Sequence, residues 1–288
     1  MRSVKVIVLA VIWLFFAALV VLAHGAALAL GRAWRWKTIS RLMRSFNRVI
    51  ARLLNFKVKV EGSLDPPAQT GCLIISNHVG YIDGIVLAGL FPVIFVTKSE
   101  VRRWPLIGQW TALVGTIYVE RNRKNKIPLF VERTAAKLKL GVNVLIFPEG
   151  TSTDGEKILP FQSAHFAGPL KAGAPILPVT IRYRTVDGKP ISGRNRDRVY
   201  WYGDMEFTPH FWGLLGLRSL EVSVKIHSKL EAASYKNNSA SRKQLSQTCH
   251  AIITGEKTGS NKIDRGSSAV QGRARTREPG EKSGMSQW

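Results

Sequence analysis

The stretch "CLIISNHVGYIDGIVLAGLF", Cys72 to Phe91, holds two apolar runs joined by a short polar segment. The first run has the length and composition of a buried β-strand ending near Ser76. The second, from about Ile82 to Leu90, reads as a helix. His78 and Asp83 lie in the junction, five positions apart. On one continuous helix they would point about 140° apart around the axis. They meet only if the chain turns between strand and helix, and Gly80 permits a turn. Strand, turn, helix is the building unit of an α/β domain. It puts His78 at a strand end, where open α/β sheets place their sites. Asp83 can then accept a hydrogen bond from one imidazole nitrogen, fix the tautomer and leave the other nitrogen as a base. Taken alone, the pair also fits ordinary surface groups or caps, and Asn77 also reads as a turn residue.

The same alternation continues on both sides. Apolar or β-branched runs occur at "FKVKV", "VIFVT", "GTIYV", "NVLIF" and "PILPVTIRY". Helix-like stretches separate several of them, at Val101 to Leu113, Lys126 to Leu140 and Ser163 to Ala172. The expected fold is therefore α/β, a mixed, mostly parallel sheet flanked by helices. Further strands are expected at Val199 to Tyr202 and Leu220 to His227. Between them, "HFWGLLGL" (His210 to Leu217) reads either as core or as a loop dipping into lipid. A last helix is expected over Ser241 to Ile253.

The whole chain of 288 residues has a formal net charge of +23 and is 45% hydrophobic. Such charge draws a protein to a polyanion, either nucleic acid or an anionic membrane. The N-terminus favours the membrane. Val6 to Leu30 is nearly all apolar, long enough to cross about 30 Å of hydrocarbon, and too long for the core of a signal peptide. Arg32, Arg35, Lys37, Arg41, Arg44, Arg48 and Arg52 follow, and no acidic residue occurs before Glu61. This excess of cations places that side of the span in the cytoplasm. Ile39, Met43, Phe46, Ile50 and Leu53 recur at helical spacing between the arginines, with Trp34 and Trp36 at the exit from the apolar run. The expected organisation is a membrane anchor over 1–31, a basic amphipathic interfacial helix over 32–55, a catalytic domain over 56–254 and a disordered basic tail over 255–288. Whether the anchor crosses once or re-enters as a hairpin stays open. Cys72 and Cys249, far apart in sequence, indicate neither a disulfide framework nor a zinc site.

Three further strand ends carry chemistry. Lys98 closes a strand in "VTKSE". "GTIYVERNR", Gly115 to Arg123, runs from a strand into a cationic loop. "FPEGTSTDG", Phe147 to Gly155, follows the strand "NVLIF", and Pro148 and Gly150 force a turn beside Glu149. If the strands are parallel, all four places share one edge of the sheet.

In order, "NHVGYID", "VER", "FPEGT" and Pro178 in "ILPVTI" resemble the motifs of the glycerolipid lysophospholipid acyltransferase family, most closely bacterial 1-acyl-glycerol-3-phosphate acyltransferases, over about Phe56 to His227. The resemblance implies an α/β domain on a bacterial inner membrane, with its catalytic face toward the cytoplasm. It implies transfer of a fatty acyl chain from acyl-CoA or acyl carrier protein to the sn-2 hydroxyl of 1-acyl-glycerol-3-phosphate, forming phosphatidic acid. His78 would be the general base and Asp83 its orienting acid. Lys98 and Arg121 would bind the acceptor's phosphate, and Glu149, Gly150 and Thr151 would shape the acceptor site. No metal or other cofactor is expected. Ser76 and Cys72 are not expected to act as nucleophiles, since Gly-x-Ser-x-Gly is absent.

Many family members carry Arg where this chain has Ser152, which points to a second acceptor, a lysolipid such as lyso-ornithine lipid. Arg123 is an alternative cation. The expected partners are the lysolipid, the acyl donor and anionic membrane lipid. A non-catalytic basic membrane-tethered binding protein is the competing reading. No nucleic-acid partner is expected, because no base-reading motif accompanies the charge.

Overall fold

The computed structural model describes residues 2–63, 71–120 and 124–256. Arg121, Arg123 and the expected tail from residue 257 on lie outside the described residues.

Helix α1 spans Arg2–Leu53 and breaks at Gly31, whose φ of 81° and ψ of 172° are non-helical. A positive φ is strained for residues with a Cβ, so glycine marks the turn. The two arms fold back on each other: Phe16 meets Phe46 with ring centroids 5.4 Å apart, and His24 meets Trp36 at 5.8 Å. The N-terminal segment is thus a helical hairpin. Its first arm is long and apolar enough to cross a membrane. Phe16, Val20 and Ala23 of that arm are buried, while Ile7, Val11, Leu14, Phe15, Leu22 and Leu28 are exposed.

The second arm differs from expectation. Its apolar stripe, read above as a lipid-lying face, is taken by protein: Ile39, Met43 and Ile50 are buried in the core clusters. Arg41, Arg48 and Arg52 remain exposed on the other side. The exposed apolar surface belongs to the first arm instead.

Strand β1 (Phe56–Glu61) precedes β2 (Leu73–Ser76), which feeds α2 (Tyr81–Leu90). Then come β3 (Val93–Lys98), α3 (Ile107–Leu113), β4 (Ile117–Val119), α4 (Ile127–Lys139) and β5 (Asn143–Ile146). The expected helix over Val101 to Leu113 is split, with a short 3₁₀ turn at Ser99–Arg103 before α3, because Pro105 interrupts the helical ladder. A long loop leads to α5 (Ala167–Ala172), β6 (Ile176–Val186), β7 (Lys189–Pro190), α6 (Phe207–Leu215), β8 (Leu220–Ile226) and α7 (Ser239–Thr254).

The sheet runs β1-β8-β6-β2-β5-β3-β4, with β7 paired to β6. Among the described strands only β6 pairs antiparallel, with β7 and β8; the other strand pairings are parallel. This is the mixed, mostly parallel sheet expected. β2 and β5 are buried at every position, as central strands covered on both faces must be.

Val199 to Tyr202 is not a strand. Its Trp201 N–H donates to the Val79 carbonyl at 2.9 Å, outside any ladder. The β-branched and aromatic composition there serves packing, not pairing. "HFWGLLGL" falls mostly within α6, with Leu214 and Leu215 buried and Trp212 46% exposed.

Candidate active site

The parallel strands bring the motif loops to one edge. Ile75 pairs with Ile146, Phe95 with Leu145 and Lys98 with Val119. The ends of β2, β5, β3 and β4 therefore lie side by side. His78 follows β2 and Glu149 follows β5. Lys98 ends β3, level with position 77 and two strand spacings, about 10 Å, away.

His78 and Asp83 meet as the spacing required. Nδ1 of His78 lies 2.8 Å from Oδ2 of Asp83. A carboxylate accepts, so Nδ1 carries the proton and the lone pair is on Nε2. Nε2 makes no hydrogen bond among the described residues, and the side chain is 20% exposed. The imidazole stacks on Phe147, with centroids 4.0 Å apart and planes 10° apart. Ring tilt is thus set by Phe147 and in-plane rotation by Asp83.

Asp83 is fully buried, and its charge is met by a full set of donors. Oδ2 also accepts from the backbone N–H of Val79 at 2.7 Å and of Gly80 at 3.0 Å. These bonds cap α2, and a carboxylate in the first turn is favoured there. Oδ1 accepts from the Tyr183 hydroxyl at 2.5 Å. Burial and the neighbouring carboxylate push the Tyr183 phenol well above its ordinary range, so it stays a donor. Tyr183 is on β6, one hundred positions from Asp83, and no local pattern marks it.

Gly80 serves differently from the expected way. Its backbone is extended, a conformation open to any residue. What excludes a side chain is space: a Cβ there would sit 2.9 Å from the Trp201 nitrogen. Asn77 is more than a turn residue. Its amide donates to the Ile181 carbonyl at 3.0 Å and accepts from the Ile181 N–H at 2.9 Å, tying the loop to β6 just past the strand pairing.

Glu149 sits apart from the imidazole. Its Oε1 accepts from the His78 N–H at 2.7 Å and its Oε2 from the Leu159 N–H at 2.7 Å. Burial raises its pKa to about 7, against the lowering effect of those two bonds. Both oxygens hold loop backbone, so in this structure Glu149 braces the site. Gly150 turns the chain with a φ of 84°, and Thr151 is exposed. Thr153 N–H donates to the His78 carbonyl at 3.0 Å, closing the loop over β2. Ser76 and Cys72 are buried, and burial pushes the Cys72 thiol up to about 12, which leaves no thiolate near neutral pH.

An aromatic wall stands beside the start of α2. Tyr81 packs on Phe207 at 5.1 Å and on Trp201 at 6.0 Å, and Trp104 closes on Phe207 at 5.8 Å. The Tyr81 hydroxyl bonds Nδ1 of His210 at 2.8 Å, and Nε2 of that ring bonds the Tyr200 carbonyl at 2.9 Å. The carbonyl can only accept, so the tyrosine donates to Nδ1.

No group of three or more His, Cys, Asp or Glu able to hold a metal occurs among the described residues. A buried base-acid pair at a sheet edge, beside an aromatic wall and an apolar hairpin, suits proton abstraction from a lipid hydroxyl.

Comparison with known proteins gives the family. A family model described as Acyltransferase matches residues 57–182. A lyso-ornithine lipid O-acyltransferase of Brucella abortus is 33% identical over 227 residues, covering 76% of this chain and 83% of that protein. A 1-acyl-sn-glycerol-3-phosphate acyltransferase of Neisseria meningitidis serogroup B is 26% identical over 214 residues, covering 74% and 81%. The crystal structure of the 1-acyl-sn-glycerophosphate acyltransferase PlsC from Thermotoga maritima shares the fold, with a TM-score of 0.54 and 19% identity over 91% of this chain and 100% of that one. The chain belongs to the acyltransferase family, as an O-acyltransferase related to the lysophospholipid acyltransferases.

Proposed function

We propose that the protein moves a fatty acyl group from a thioester, acyl-CoA or acyl carrier protein, to a free hydroxyl of a lysolipid. The observation that carries this reading is the His78 imidazole, held at Nδ1 by Asp83 and bare at Nε2. Nε2 takes the hydroxyl proton as the oxygen attacks the thioester carbonyl. Asp83 stabilises the imidazolium that forms. The tetrahedral oxyanion needs N–H donors from a nearby loop. When the intermediate collapses, the thiolate leaves and takes the proton back from His78. The aromatic wall by Tyr81 receives apolar chain, and the apolar arm of α1 keeps the enzyme on the cytoplasmic face of the bacterial inner membrane.

Two acceptors compete. The motif resemblance puts 1-acyl-glycerol-3-phosphate first, with Lys98 and Arg121 on its phosphate. Ser152, in place of a cation, and the 33% identity to the Brucella relative favour lyso-ornithine lipid, and we place it ahead. Both acceptors are tested in one panel, with free-thiol release read at equal donor concentration. The expected result is at least tenfold higher kcat/KM for lyso-ornithine lipid, about 1.4 kcal/mol in discrimination. A preference for lysophosphatidic acid would reverse the order. Release that ignores the acceptor would overturn acyl transfer itself.

A further inference from the structure

Beside β6, past the end of β2, a cleft of about 550 Å³ is lined by Asn77, Glu149, Thr153, Lys157, Arg182 and Arg184, among others. Its volume is that of a small-molecule site. A smaller cavity of about 170 Å³ adjoins it, sharing Arg182 and Arg184 and adding Lys225 and His227. The two share Arg182, Arg184 and Thr254 and form one channel that begins behind the His78 loop and runs out over β6 and β8, with these two arginines at its middle.

The strand pattern explains the charge. Alternate residues of β6 face opposite sides, so Tyr183 points to Asp83 while Arg182 and Arg184 point into the channel. Antiparallel pairing sets Ser223 opposite Arg182, and Arg184 Nε donates to the Ser223 hydroxyl at 2.8 Å. No ion pair among the described residues engages Lys157, Arg182, Arg184 or Lys225. Of the nearby carboxylates, Glu149 accepts from backbone, Glu156 pairs with Arg196 at 2.7 Å and Glu256 lies 4.0 Å from His250, while Glu61 stands across from Lys225 on β1. Glu61, Glu149, Glu156 and Glu256 share the wall with these cations, but none of them forms an ion pair with Arg182 or Arg184, and the wall includes two residues bracing the catalytic loop. Exposed arginines in such an array are suited to phosphate, which the guanidinium grips with two parallel bonds.

We propose that this channel binds the phosphate-bearing part of the acyl donor, leaving the thioester to reach His78 around the β2 end. This rests on the acyl-transfer reading above and adds the donor's place. One phosphate joins the pantetheine arm of CoA and of acyl carrier protein alike, and CoA carries further nucleotide phosphates.

The test is the double variant Arg182→Ala, Arg184→Ala, made in the full chain, with its melting profile compared to wild type. Both side chains are exposed and outside the core. The expected result is a rise of about tenfold or more in donor KM, with the lysolipid KM and kcat within about twofold of wild type. An effect on acyl-CoA and acyl carrier protein together assigns the channel to the shared phosphate. An effect on acyl-CoA alone assigns it to the nucleotide phosphates. An unchanged donor KM, or a rise confined to the lysolipid, overturns the proposal. A second readout needs no turnover: CoA titrated into the purified protein, followed by tryptophan fluorescence. Wild type should bind CoA about tenfold or more tightly than the double variant. Equal binding by both overturns the channel even if acyl transfer holds, and tight binding without acyl transfer would overturn only the catalytic reading.

Discussion

Two buried carboxylates stand at neighbouring strand ends, and they are used in opposite ways. Asp83, after β2, accepts from two backbone N–H groups, a tyrosine hydroxyl and an imidazole. Glu149, after β5, accepts from backbone alone. Both belong to sequence motifs, and both are in the core of the site. The difference is whether a titratable partner sits on the carboxylate with its other end open to substrate. Where it does, the acid serves a base in the mechanism we propose. Where it does not, the acid holds the loop that carries His78. One motif residue is thus read as chemistry and the other as architecture, although sequence gives them equal weight.

The sharpest way to break the comparison is His78→Ala. If His78 is the base, kcat for thiol release should fall roughly 10³-fold, within the range usual for a positioned general base. Acceptor KM should change little, since the imidazole acts on the reacting proton rather than on binding. Full activity in this variant would remove the chemical half of the contrast.

Glu149→Gln tests the architectural half through pH. Its folded-state pKa of about 7 is above the ordinary value of 4.5. The folded protein therefore holds that proton more tightly than the unfolded chain. The favourable contribution is fully present below about pH 4.5 and is lost as pH rises through about 7. The loss is on the order of 3 kcal/mol from the size of the shift. Glutamine cannot ionise, so its stability should lack this slope. Thermal unfolding midpoints of the two proteins at pH 5 and pH 8 give the measurement. The wild type should lose ground relative to the variant as pH rises. A constant difference would mean that Glu149 stays ionised throughout.

Much of this was legible in the sequence, and the reason is local. The strand-turn-helix at Cys72 to Phe91 follows from two apolar runs and a polar gap. The meeting of His78 and Asp83 follows from a spacing that a single helix forbids. The parallel order of the sheet follows from repeated alternation of strand and helix. What was not legible depends on distant chain. Tyr183 reads as one more alternating core residue of β6, and only the adjacency of β6 and β2 brings its hydroxyl to Asp83. A buried tyrosine needs a partner for its O–H, but the sequence does not name it. The need for glycine at position 80 is set by the backbone at Trp201, more than a hundred residues on, in a segment whose composition suggests a strand. The burial of Ile39, Met43 and Ile50 by protein was not legible for the same reason: amphipathicity tells which face is apolar, not whether protein or lipid covers it.

The finest probe of the contrast is the residue that sequence missed. Tyr183→Phe keeps the ring and removes only the hydroxyl that donates to Oδ1 of Asp83. One oxygen of a fully buried carboxylate then loses its partner, at a cost of about 1–3 kcal/mol. If the tyrosine acts only through packing, folding stability alone should drop. If it positions Asp83 for His78, kcat should also fall, by about tenfold, with both substrate KM values unchanged. The two readings separate in the His78→Ala background. There the positioning role has nothing left to position, so adding Tyr183→Phe should lower the residual rate no further. An equal tenfold loss in both backgrounds would detach Tyr183 from the imidazole and return it to the architecture, alongside Glu149.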